Sequence, residues 1–276
     1  MRRWLFVLGV ICCFCPPAVG QHRPLKTDDA ELLEVGRIRT EFGFEFLQNQ
    51  KYSLSGLTGD LTRVGISAVH VGLGEYAEFQ ISGVFQDFLS VTERSSNPPI
   101  PPSFTGNSTS DFGDLVLATK IKLAGEKGAR PAFAFKFAVE LPNAKHDSGL
   151  GNDETEFYSS ILVSKRVGRA RLIGSVGLAI LGNPVVLGRQ ADVLTYGAGF
   201  VVPLHPRVNL VAEINGRKGP SPPRVGNEDQ SVVRMGVQVQ AAGLRWDLGG
   251  LAGLKPYDAD SGVYLGITYL FKAFHK

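Results

Sequence analysis

The sequence predicts an all-β chain, a transmembrane antiparallel up-and-down β-barrel of about twelve strands with short periplasmic turns and long extracellular loops. Three observations predict it. Large apolar residues recur with period two through most of the chain after residue 36, the spacing of a strand with one apolar face. The connections between these stretches alternate between short and long. After the N-terminus, no apolar run reaches the roughly 20 residues of a membrane helix. A membrane chain built from strands must then close, because backbone groups in lipid need partners inside the protein.

Residues 1–20 read as a secretory signal. Arg2 and Arg3 supply the charged start, Trp4 to Cys15 a short apolar stretch, and Ala18-Val19-Gly20 the small residues of a cleavage site. The stretch is too short for an uncleaved anchor, and Ile11 stands before Cys12 where lipid attachment wants a small residue. All three cysteines (Cys12, Cys13, Cys15) lie in this signal, so the mature chain has no disulfide, thiolate nucleophile or Cys-metal site. Losing Arg2 and Arg3 moves the formal charge of +3 towards neutrality, which excludes the basic footprint of a nucleic-acid-binding protein. Residues 21–35, polar with Pro and Asp, read as a periplasmic N-terminal leader or a lumen plug, and the residues alone leave both open.

Residues 36–276 form the predicted barrel. In the first strand Ile38, Phe42, Phe44 and Phe46 oppose Arg37, Arg39, Glu41 and Glu45. The clearest alternation runs from Ala132 to Leu141, with Phe133, Phe135, Phe137, Val139 and Leu141 on one face and Lys136 and Glu140 on the other. Val208, Leu210, Ala212 and Ile214 oppose Asn209, Glu213, Asn215 and Arg217; Val233, Met235, Val237 and Val239 oppose Arg234 and Gln238. The last strand places Tyr269 and Phe271 outward, where an aromatic girdle and the assembly machinery both use aromatics. Strands are expected to begin near Gly36, Asp60, Tyr76, Phe112, Ala129, Thr155, Ala170, Gln190, Pro206, Asp229, Gly243 and Asp260. The links Gly74-Glu75, Gly125 to Gly128, Gly168-Arg169, Leu204-His205 and Ala241-Ala242 are tight. Those between, from Lys51 to Gly59 and from Ser90 to Asp111 onward, are longer, which sets both termini on the periplasmic side.

The alternation sends charges of both signs inward. Lys120, Lys136, Glu140, Glu213, Arg234 and Arg245 are the expected pore-lining residues at mid-height. A hydrated pore is expected over a shut interior, since barrels of this width are seldom filled by wall side chains alone. The run Asn97-Pro98-Pro99-Ile100-Pro101-Pro102 favours stiff polyproline geometry and reads as a mobile outer loop, with an inward constriction as the alternative. His146 and Ser148 have a spacing that would suit a lipid hydrolase, but their Gly/Asn/Asp-rich loop offers nothing to orient base against hydroxyl. His70, alone on a strand, reads as a girdle or lumen residue. Neither metal-ligand spacing nor a phosphate-cradling motif is present, so no catalytic residue, metal or cofactor is expected.

Several short motifs carry a family resemblance. They are Phe112-Gly113-Asp114-Leu115 with Lys120 and Leu123, Leu141-Pro142, Gly149-Leu150-Gly151, Ser164-Lys165, Leu210-x-x-Glu213, Gly266 and Tyr269-x-Phe271. Over most of residues 36 to 272 the chain resembles the outer-membrane "transporter" family named for the MetA pathway of phenol degradation. That resemblance implies a channel or uptake protein of the Gram-negative outer membrane, sometimes associated with aromatic compounds, without catalytic residues. The expected function is passive passage of small polar or aromatic solutes through a charged lumen. Its partners would be outer-membrane lipids, the barrel-assembly machinery and the solutes, with no nucleic acid. The alternatives are an outer-leaflet lipid-modifying enzyme and a non-conducting surface barrel.

Overall fold

The computed structural model describes residues 23–186, 189–220 and 225–273; the expected signal, residues 1–20, lies outside them. In chain order the strands are β1 (Arg37–Tyr52), β2 (Leu57–Gly72), β3 (Ala77–Arg94), β4 (Ser108–Asp111), β5 (Leu115–Ala124), β6 (Ala132–Leu141), β7 (Glu156–Val167), β8 (Ala170–Gly182), β9 (Gln190–His205), β10 (Val208–Lys218), β11 (Gln230–Ala241), β12 (Leu244–Gly253) and β13 (Ser261–Lys272). Each pairs antiparallel with its neighbours, and β1 meets β13 from Arg37↔Lys272 to Gln48↔Ser261, closing the sheet into a barrel. The four residues of β4 pair only with β3, beyond the point where β3 leaves β5. Among the described residues the barrel wall therefore has twelve strands, each starting within a few residues of its expected position.

Two connections differ from expectation. The first outer loop is only residues 53–56, because β1 and β2 continue pairing to Tyr52↔Leu57. The turn between β5 and β6 lengthens to residues 125–131, held by a bridge between Lys127 and Arg130. The remaining links keep the expected sorting. One end of the barrel thus carries the short turns, the start of β1 and the end of β13, and the other carries the long loops.

Pleating sends alternate residues to opposite faces. Phe42 and Phe44 are exposed on the outer face of β1, while Arg39, Glu41, Gly43 and Glu45 between and beside them are buried inside. The outer wall is studded with large apolar side chains, among them Leu178, Met235, Leu248 and Val263. Aromatic pairs stand near its ends: Tyr269 stacks on Phe271 at 5.5 Å, and Phe137 on Phe157 at 6.4 Å. A water-soluble barrel would hide these side chains, whereas lipid is their natural solvent.

Glycine is required where the wall bends. β1 and β2 slip by one residue between Gly43↔Ile66 and Phe44↔Val64, leaving Gly65 unmatched at φ +68°. Inside, Tyr264 of β13 lies across Gly249 of the adjoining β12 and Gly236 of β11 beyond it. A Cβ at Gly249 would stand 2.2 Å from the Tyr264 hydroxyl oxygen, and one at Gly236 would stand 2.4 Å from it. Gly249→Val is expected to destabilise the barrel by about 1–3 kcal/mol through overpacking. Urea unfolding in detergent micelles measures it, and an unchanged midpoint would show that Tyr264 does not hold this corner.

Candidate functional site

The lumen is not empty. Residues 23–34 enter beside the short turns and run as an irregular strap round the inner wall. At the rim, Gly36 N–H donates to the Gly72 carbonyl at 3.0 Å, and Leu33 N–H donates to Glu78 of β3 at 2.7 Å. Gly72 is needed there, since a Cβ would lie 2.2 Å from the Glu34 carbonyl oxygen.

Opposite β5 to β8 the strap presents two buried carboxylates. Lys120 donates to Asp28 at 3.2 Å and to the Asp29 carbonyl at 3.1 Å, and Lys136 donates to Asp28 at 3.0 Å. Arg171 of β8 holds Asp29 through two nitrogens, with its Nη2 at 2.7 Å from Asp29 and 3.2 Å from Glu31. The bidentate fork fixes direction as well as distance. Further round, the strap supplies donors: Glu213 of β10 accepts the Lys26 N–H at 2.7 Å and the Thr27 N–H at 2.8 Å. Gln238 of β11 and Arg245 of β12 donate to the Arg23 carbonyl at 2.8 and 3.1 Å. The Arg23 guanidinium ends against Gly43 and donates to the Ile66 carbonyl at 3.2 Å.

All six residues expected in the lumen face the interior, but they do not line an open tube. Lys120, Lys136, Glu213 and Arg245 bind the strap directly. Arg234 donates to Glu45 at 2.6 Å and lies 3.7 Å from Glu213. Glu140 stands apart from the strap, half-buried near the outer end of β6. His70 is inside the wall, with Nδ1 3.3 Å from Glu78, and is not part of a girdle.

Reading charges alone missed the apolar seats. Val211 occupies the inward row of β10 with no exposure, and with Ile173 and Val201 it encloses Leu25 of the strap. Ala30 packs against Ala132, Ala134 and Leu162. Burial of Leu25 contributes about 1.5–3 kcal/mol. The Arg171–Asp29 pair also went unforeseen, because nothing in a strand pattern indicates which distant segment a wall charge meets. Leu25, Asp28 and Asp29 share a segment that is polar yet carries apolar residues, and that was the available signal.

At the other end the outer loops are knitted together. Ser55 donates to the Gly149 carbonyl at 2.7 Å, Ile100 N–H to the Leu54 carbonyl at 3.0 Å, and Ser103 to Asp147 at 2.5 Å. The proline-rich run therefore lies on the surface yet is tied to its neighbours, in place of the free loop expected. Asp260, exposed at the rim, is held below the ordinary carboxylate range by hydrogen bonds from Asn49 and Lys51. In loop 142–155 His146 pairs with Asp153, while the Ser148 hydroxyl donates to the Lys145 carbonyl at 2.6 Å. Base and hydroxyl thus face different partners, and no cluster of metal-binding side chains occurs among the described residues. Between loops and strap lies a cavity of about 320 Å³, lined by Glu45, Arg63, Tyr158, Arg217, Arg234 and Leu251 among others.

A closed, lipid-faced antiparallel barrel with an internal strap has the fold of outer-membrane proteins. No family model and no curated protein matches the chain. Among solved structures, it is similar to the COG4313 outer membrane channel from Pseudomonas putida F1, with a TM-score of 0.58 at 15% identity, covering 88% of this chain and 98% of that one. It is also similar to the NanC porin, with a TM-score of 0.52 at 7% identity, covering 84% of this chain and 98% of that one. At these identities the likeness is one of fold.

The strap's hold can be probed at Arg171. Arg171→Met leaves Asp29 buried without its fork, a loss of about 3–5 kcal/mol for a broken buried pair. Hydrogen exchange across residues 23–34 is expected to accelerate, as is trypsin cleavage after Lys26. Unchanged protection would mean that the apolar seats alone retain the segment.

Proposed function

We propose that the protein is an outer-membrane channel that passes small polar or aromatic solutes passively, with residues 23–34 as its internal gate. The observation that carries this is how the wall's charges are used. Glu213 spends both oxygens on strap N–H groups, and Lys120 spends its ammonium on two strap oxygens. Part of the wall neutralises itself, as where Arg39 meets Glu41, Arg63 meets Asp87 and Arg234 meets Glu45. Lys120, Lys136, Arg171 and Glu213 are instead completed by a segment that pairs with no strand, and a buried charge needs a partner, so displacing that segment exposes a polar, charge-lined passage. The fold of the Pseudomonas putida channel supports this reading, and so does the motif resemblance to the MetA-pathway transporters. Outer-membrane lipids and the assembly machinery complete the proposed setting. Export would remove residues 1–20, which leaves the mature N-terminus close to Arg23.

Planar-bilayer recording tests the proposal. The mature protein is expected to show small, intermittent conductance, and deletion of residues 23–34 to raise it on the order of tenfold by opening the lumen of a barrel this wide. A deletion variant that inserts, keeps its heat-modifiable mobility on gels and yet carries no current would overturn the channel reading. It would leave a non-conducting barrel.

A further inference from the structure

The cavity of about 320 Å³ lies between the strap and the outer loops and is partly open. Its charges are unevenly committed. The carboxylates have their own donors: Glu45 takes Arg234 at 2.6 Å, and Asp258 takes three backbone N–H groups, from Ser231, Leu254 and Lys255, at 2.9–3.2 Å. Neighbouring Glu156 is bound by Tyr158 at 2.5 Å and Asn152 at 2.8 Å.

Arg217 is different. Its Nε donates to the Glu228 carbonyl at 3.1 Å and its Nη2 to the Gly226 carbonyl at 3.0 Å, and it forms no ion pair among the described residues. Two neutral carbonyls pin the guanidinium plane, and Nη1 has no hydrogen bond among the described residues. A fixed, charged fork with an open edge is a ready partner for a carboxylate. Leu47, Val232, Leu251 and Ala259 supply the apolar part of the lining, alongside the already partnered Glu45, Arg63, Arg234 and Asp258. A pinned cation and aliphatic surface in one space, at the small end of ligand sites, define the occupant's chemistry.

From this arrangement we infer that the outer vestibule is a binding site for a small organic carboxylate with an apolar body. The carboxylate rests on Arg217 and the body lies against Leu47, Val232 and Leu251. The site sits directly outside the strap, so it deepens the channel reading and rests on it for its role, as the place where solute is held before passage. Binding itself does not require conduction.

Titration calorimetry of the full mature protein in nanodiscs tests the inference, with hexanoate as the probe. Saturable hexanoate binding is expected, with hexanol and acetate each binding far more weakly. Arg217→Met is expected to weaken hexanoate on the order of tenfold or more, the loss of one charge-assisted contact. Arg217→Lys should restore part of it. Leu251→Asn should weaken hexanoate while leaving acetate unchanged, and heat-modifiable mobility confirms that each variant is folded. Absence of saturable binding, equal affinity for hexanol, or an unaltered Arg217→Met variant would overturn it. A conducting strap deletion with no hexanoate binding removes this inference alone. Binding without conduction removes the channel and leaves the site.

Discussion

Everything in this structure follows from one constraint: no backbone N–H or C=O inside a bilayer can be left without a partner. Closure of β1 onto β13 meets it for the wall. Closure then fixes the faces, since each residue between two lipid-facing apolar positions must point inward. A twelve-strand ring is wider than its own side chains can fill, so several inward charges, Lys136, Arg171 and Glu213 among them, are completed only by something inside the ring. The strap solves that problem. It carries carboxylates to Lys120, Lys136 and Arg171, and N–H groups to Glu213 and Glu78.

The strap is subject to the same rule, and that sets its character. It pairs with no strand, so its backbone groups depend on wall side chains whose reach is short and directional. Shifting it by one residue would present the wrong atom at each anchor, breaking the ties to β3, β5, β8, β10 and β12 together. The seats for Leu25 and Ala30 add burial to both flanks of the acidic pair, which favours the seated state without changing its register.

Most of the barrel was legible in the sequence because its determinants are local. Period-two patterning, turn glycines and loop lengths are all read from neighbouring residues, and the strands fell within a few residues of expectation. The first outer loop was drawn too long because Ser53 to Gly56 and the start of β2 look like loop by composition, while pairing with β1 decides their state. The inward charges were legible for the same local reason. Their partners were not: Arg171 and Asp29 are separated by 142 residues, and only the closed fold brings them together. The apolar seat at Val211 was missed because a single valine in a polar row carries no signal until Leu25 is seen against it.

The two ends of the lumen are held by different means, and the difference has a consequence. At the long-loop end hydrogen bonds tie the loops to one another, over an apolar cluster around Leu57, Leu89 and Phe104. At the strap the hold comes from charged groups in a confined interior, where an unpaired charge is costly. The loops can therefore breathe locally, one contact at a time. The strap can leave only if its buried charges find other partners. In the proposed channel, water or solute in the lumen would supply such partners, and the inferred site at Arg217 lies on the loop side of the strap.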